Sequence, residues 1–134
     1  MAVDLGTTPE AFVDQFFNSY VKEVVLTDID PEKGVDRFYT PDFTQVSDGT
    51  ETTRAQLAEH VPAARQTFAA MRYEVHEALL SGDALATRLT FHAEFKAGGS
   101  IEVEFYVFAE VADDRRLRRI HQVTRTVKND MAPS

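Results

Sequence analysis

Two runs of strict alternation constrain this chain more than any other feature. From Leu85 to Phe95, the residues Leu85, Thr87, Leu89, Phe91, Ala93 and Phe95 face one way, and Arg88, Thr90, His92 and Glu94 the other. From Ile101 to Val111, the residues Ile101, Val103, Phe105, Val107, Ala109 and Val111 oppose Glu102, Glu104 and Glu110. Such a period of two belongs to strands with one buried face. Gly98-Gly99 supplies the turn between them. Further strands are expected from Tyr73 to Leu80, before the turn Ser81-Gly82-Asp83, and from Leu117 to Val127, after Asp113-Asp114. A meander of this kind must cover its apolar face, and the N-terminal half has to supply the cover.

That half reads as helical. Thr8-Pro9-Glu10 is a start signal, and Phe12, Phe16, Tyr20 and Val24 with Val13, Phe17 and Val21 make an apolar stripe on a helix of about residues 9–26. Asp30-Pro31-Glu32 opens a short helix with Val35, Phe38 and Tyr39 on one face, which Pro41 is expected to stop. Phe43 to Ser47 and Thr50 to Thr53 read as short strands around an Asp48-Gly49 turn. Thr53 and Gln56 resemble a capping box for a third helix to about Ala70, which Pro62 should kink or divide. Residues 128–134 read as a polar tail, and residues 1–134 as a single α+β domain.

Composition narrows the function classes. The 134 residues include 14 Lys plus Arg against 22 Asp plus Glu, a net charge of −8. Nucleic acid and anionic membrane are therefore poor partners, since both demand a basic face. With no cysteine, disulfides and thiolate chemistry are excluded. No apolar run approaches the length of a membrane span, and the first residues lack a basic stretch followed by an apolar one, so a cytoplasmic location is expected.

The order of elements is similar to that of the nuclear transport factor 2-like superfamily, and within it to the SnoaL-like and ketosteroid-isomerase-like proteins, over about residues 9–127. Its local markers are Phe38-Tyr39-Thr40-Pro41-Asp42-Phe43, Ser81-Gly82-Asp83 before an alternating strand, and Arg119-Ile120-His121-Gln122 in the closing strand. The resemblance implies a curved antiparallel sheet wrapped around three helices into a cone, with a pocket at its open end and homodimerisation through the sheet face. It also implies a helix-one tyrosine, matched by Tyr20; a base after the first strand, whose place falls at Ser47 with Asp48 one residue along; and an acid in the third meander strand, whose place is taken by Val107. Gln122 stands where limonene-epoxide-hydrolase-like sites carry a carboxylate.

The residues themselves leave alternatives open. Tyr20 is either a donor to a ligand oxygen or a core tyrosine. Asp48 is either a general base turned inward or the first residue of a hairpin turn. Gln45 and Ser47 share strand parity and would orient a ligand. In the last strand one parity points Gln122 inward with Ile120 and Thr124; the other points His121 inward, where it can titrate. The first is preferred. His92 and Glu94 near Glu102 and Glu104 lack metal-site spacing, so no metal is expected, and no cofactor is implied. The expected pocket lining is Phe16, Phe38, Leu89, Phe91, Phe105, Val107 and Gln122 around Tyr20. Two functions follow: an isomerase, cyclase or dehydratase moving a proton on a small hydrophobic carbonyl compound, with Tyr20 polarising the oxygen and Asp48 taking the proton; or a non-catalytic small-ligand-binding or dimerisation domain. A cone filled by its own side chains would leave only the last.

Overall fold

A computed structural model describes residues 3–131. Helix α1 (Pro9–Tyr20) starts where Thr8 accepts a hydrogen bond from the Ala11 amide at 3.2 Å. It does not run unchanged to residue 26. From Val21 to Val25 it widens into a π turn closed by Leu26 N donating to Val21 O. The wider turn lets Val21, Val24 and Val25 all face the core. Helix α2 (Pro31–Asp36) ends before Pro41, because the chain has already turned into strand β1 (Tyr39–Ser47), which contains that proline. Strand β2 (Thr50–Thr53) leads into helix α3 (Arg54–Thr67), whose capping box between Thr53 and Gln56 is formed in both directions. Pro62 is accommodated without dividing α3. The helix stops at Thr67 rather than Ala70, since Phe68 opens strand β3 (Phe68–Ser81) by pairing with Phe95.

Strands β4 (Ala84–Phe95), β5 (Gly99–Val111) and β6 (Leu117–Met131) complete the meander. The expected tail is therefore strand as far as Met131, paired with Gly99, and residues 132–134 lie outside the described residues. The sheet order is β2-β1-β6-β5-β4-β3. β1 runs parallel to β6, so the closing strand lies between β1 and β5, and all other pairs are antiparallel. Among the described residues, no helix is long and apolar enough to cross a membrane.

The core lies between the helices and the inner face of the sheet. Its fully enclosed members include Val13, Val24, Val35, Phe43, Leu85, Leu89, Leu117 and Ile120. Leu117 and Ile120, three residues apart, both point inward because the register slips between them: Leu117 pairs with Val111 and Arg119 with Glu110, leaving Arg118 as the extra residue. Strand β3 is one edge of the sheet, and α1 packs against it. The Asn18 amide accepts from Tyr73 N at 2.8 Å and donates to Tyr73 O at 3.0 Å, as a neighbouring strand would.

Candidate functional site

Helix α1 sets Phe16, Phe17 and Tyr20 against the inner face. Phe16 meets Phe38 and Tyr39 edge-on at 5.4 and 5.6 Å, and Tyr20 meets the same two rings at 5.4 and 5.6 Å. Of the expected lining residues, Phe16, Phe38, Leu89, Phe91 and Val107 are buried. Tyr20 and Phe105 remain partly open. Burial pushes the Tyr20 phenol up to about 12, against an opposing pull from the Arg65 guanidinium. It is a hydrogen-bond donor across the physiological range.

Two more phenols join it that the sequence reading did not single out. Tyr39, only 4% exposed, stands beside Tyr20 and packs at a tilt against Phe43, with ring centroids 4.4 Å apart. Tyr73 packs among Phe17, Phe91 and Phe105 at 5.2, 5.1 and 6.0 Å. Burial raises both, and they are near enough that charge on Tyr20 would raise both further. Among the described residues no hydrogen bond engages any of the three hydroxyls. The signal for Tyr73 was its parity with Val75 on an inward-facing strand; for Tyr39 it was hidden by assigning the residue to α2.

Arg65, in the last turn of α3, faces Tyr20 from across the interior. Its Nη2 donates to Val24 O at 2.8 Å and Ile29 O at 2.6 Å, the carbonyls freed where the π turn ends. Its Nε is the buried side-chain nitrogen left without a partner among the described residues.

The β1–β6 register settles the parity of the closing strand. Gln45 pairs with Ile120 and Ser47 with Gln122, so these three polar side chains share the inner face with the buried Ile120. Gln122 Nε2 donates to Ser47 Oγ at 3.1 Å. His121 pairs with Phe108 on the outer face and is exposed, which removes it from the interior. Asp48 is exposed at the rim, at a turn position with φ of 51°. Thr124 donates to it from backbone N at 2.8 Å and from Oγ1 at 2.5 Å, and these bonds hold the carboxyl below its usual value. Asp48 thus fastens the β1–β2 turn to β6, and the same bonds weaken it as a proton acceptor.

Apart from Asp48, the inner positions of the described strands carry no carboxylate and no imidazole. The expected His92 neighbourhood lies on the outer face, where the ring sits between Glu74 at 2.9 Å and Glu102 at 3.4 Å. No group of three metal-ligating side chains is assembled among the described residues. A separate cleft of about 440 Å³ opens between α2, β1 and α3, over Val35, Phe43 and Ala58.

Comparison with known proteins places this geometry. A profile of the SnoaL-like domain matches residues 13–120, from α1 to the inward-facing part of β6. The chain belongs to the SnoaL-like family. This SnoaL-like protein is also 28% identical, over 79% of its length and 78% of the relative's, to an uncharacterised protein of Schizosaccharomyces pombe. Among solved structures it resembles a hypothetical protein of ketosteroid isomerase-like fold from Catenulispora acidiphila, crystallised with trimethylamine (17% identity, 87% and 85% of the two chains, TM-score 0.61). It also resembles AusH from Aspergillus nidulans (16%, 90% and 83%, TM-score 0.66) and a nuclear transport factor 2-like protein from Burkholderia xenovorans (13%, 87% and 88%, TM-score 0.61). At these identities the likeness establishes the nuclear transport factor 2-like fold, and function has to be argued from the site.

Proposed function

We propose that this SnoaL-like protein binds a small hydrophobic molecule against the inner face of its sheet, with Tyr20 donating to a ligand oxygen. The observation that carries the reading is a half-buried phenol without a protein partner, set among aromatic rings. Buried hydroxyls normally find a partner, and a ligand acceptor supplies one. No cofactor enters this reading, and the absence of cysteine suits a reducing cytoplasm.

A second reading, proton transfer beside a carbonyl, is favoured by the place of Asp48, next to inward-facing Ser47 and Gln122 at the rim. One probe separates the two. 2-Acetylnaphthalene is titrated into the protein, and exchange of its methyl protons in D2O is followed by NMR. A binder gives a saturable shift with exchange no faster than buffer. Exchange accelerated by wild type and lost in Asp48→Asn establishes the enzyme. No saturable binding by folded protein sinks both.

The same protein is proposed to pair through its outer sheet face. Leu79 and Phe108, 73% and 67% exposed, lie in one cross-strand row with Ala86, and Tyr106 and Val123 lie in the next. Such a patch on a sheet marks an association surface. Sedimentation should show a dimer that Phe108→Glu converts to monomer; a monomeric wild type refutes it.

A further inference from the structure

Acidic residues outnumber basic ones by 22 to 14 in this chain, and its clefts follow that balance. Four of them carry carboxylates, Glu32 and Asp42 in one and Glu77 or Glu94 in the others. A fifth reverses the sign. This cleft, of about 340 Å³, opens between the end of the π turn, the last turn of α3, the start of β3 and the β4–β5 turn. Arg65 and Lys96 line it, and no acidic residue does. Neither cation is ion-paired with a carboxylate among the described residues.

Two helical segments end here, and cations are drawn to the carbonyls of helix ends. Those carbonyls are nevertheless served by other atoms. Arg65 Nη2 donates to Val24 O and Ile29 O, Phe68 N donates to Ala64 O, and the backbone N of Lys96 donates to Thr67 O at 2.9 Å. Arg65 Nη1 has no hydrogen-bond partner among the described residues, and it is not sealed from solvent as Nε is. It and the Lys96 ammonium are left over as donors. Beside them stands an apolar wall, made by Leu26, which is 44% exposed, and by Phe68. The Phe68 ring is braced from behind by Phe91 and Phe95, at 5.7 and 5.4 Å, so the wall is formed before anything binds.

We propose that this cleft is a binding site for a small organic monocarboxylate with an apolar body. The carboxylate offers one oxygen to Arg65 Nη1 and one to the Lys96 ammonium, and the body lies against Leu26 and Phe68. A polyanion is disfavoured, because a chain of net charge −8 repels it more strongly than a single charge. An ammonium compound would meet two cations and no acceptor side chain of opposite charge. The site contains no phenol, so it stands whether or not a ligand reaches Tyr20.

The test uses benzoate and benzamide, which share a shape and differ in charge, titrated into the 15N-labelled full chain and followed by the backbone amide shifts. Benzoate should shift the Leu26, Phe68 and Lys96 amides saturably, and benzamide should bind more weakly. Lys96→Gln should weaken benzoate about 2- to 5-fold, the worth of one exposed charge, and Lys96→Glu should weaken it further. Raising the salt from about 50 to about 300 mM should weaken benzoate and leave benzamide unchanged. Lys96 is exposed and holds α3 through its backbone N, so both variants should fold, and their amide spectra verify it. Equal binding of the two probes, unchanged benzoate affinity in Lys96→Glu, or shifts centred on Tyr20 and Tyr73 instead of the cleft would each overturn the site, as would the lack of any saturable shift.

Discussion

Gly34 allows two opposing effects to be weighed. It lies buried in the last turn of α2, directly over the π turn. A Cβ at this position would stand 2.9 Å from Val24 Cγ1, 3.0 Å from Val24 Cγ2 and 3.4 Å from Ile29 Cγ2. Replacing glycine by alanine in a helix ordinarily stabilises by about 1 kcal/mol. Here the two closest atoms belong to a fully buried β-branched side chain, whose single favoured rotamer gives it no room to swing away. Overpacking of this kind costs about 1–3 kcal/mol. Gly34→Ala is therefore expected to destabilise by about 0–2 kcal/mol net. Val24→Ala alone should cost about 2 kcal/mol, from two lost methyl groups and the space they leave. In the double variant the new methyl occupies that space, so the pair should be at least about 1 kcal/mol more stable than the sum of the singles predicts. Urea denaturation of the four proteins measures each quantity. A Gly34→Ala protein more stable than wild type, or a strictly additive double variant, would refute the reasoning.

Arg65→Met removes two charge-assisted hydrogen bonds to Val24 O and Ile29 O but also relieves an unpartnered buried Nε. The net loss should be about 2 kcal/mol, read as a lower denaturation midpoint, with Arg65→Lys falling between; no change in midpoint argues that water serves those carbonyls equally well. The Asp48 carboxyl is held below its usual value of 3.8 by Thr124. A depressed carboxyl contributes stability above its unfolded-state value, and that contribution fades as pH falls through the lower folded-state value. Asp48→Asn should thus be less stable than wild type at neutral pH, with the difference shrinking below pH about 4. A difference that stays constant into acid would show that the charge is irrelevant to the turn.

The elements with local causes were legible in the sequence. The alternation of Leu85–Phe95 and Ile101–Val111 needs only a period of two, and the Thr53–Gln56 box needs only four residues. Boundaries failed where two periodicities overlapped. Phe68 continues the helical row from Ala64 and also begins an inward-facing strand row, and only its pairing with Phe95 decides between them. The inward turn of Gln122 depends on one extra residue at Arg118, which no alternation count reveals. Of the interior phenols, Tyr20 lay on a readable stripe. Tyr39 meets the Tyr20 ring, and Tyr73 lies near enough to feel its charge, from 19 and 53 residues away in the chain, and such proximity is a tertiary result.

The placement of β6 between β1 and β5 has a consequence for how the domain assembles. The last strand in chain order is an interior strand, so β1 and β2 have no sheet to join until the segment near residue 120 is available. Closing so long a loop carries an entropic cost before any pairing rewards it. The meander β3–β6, built from neighbours in sequence, is then the part able to form early, with β1 docking late along its finished edge. Until that moment β6 exposes a free strand edge, and the half-formed domain is at its most vulnerable to pairing with another chain.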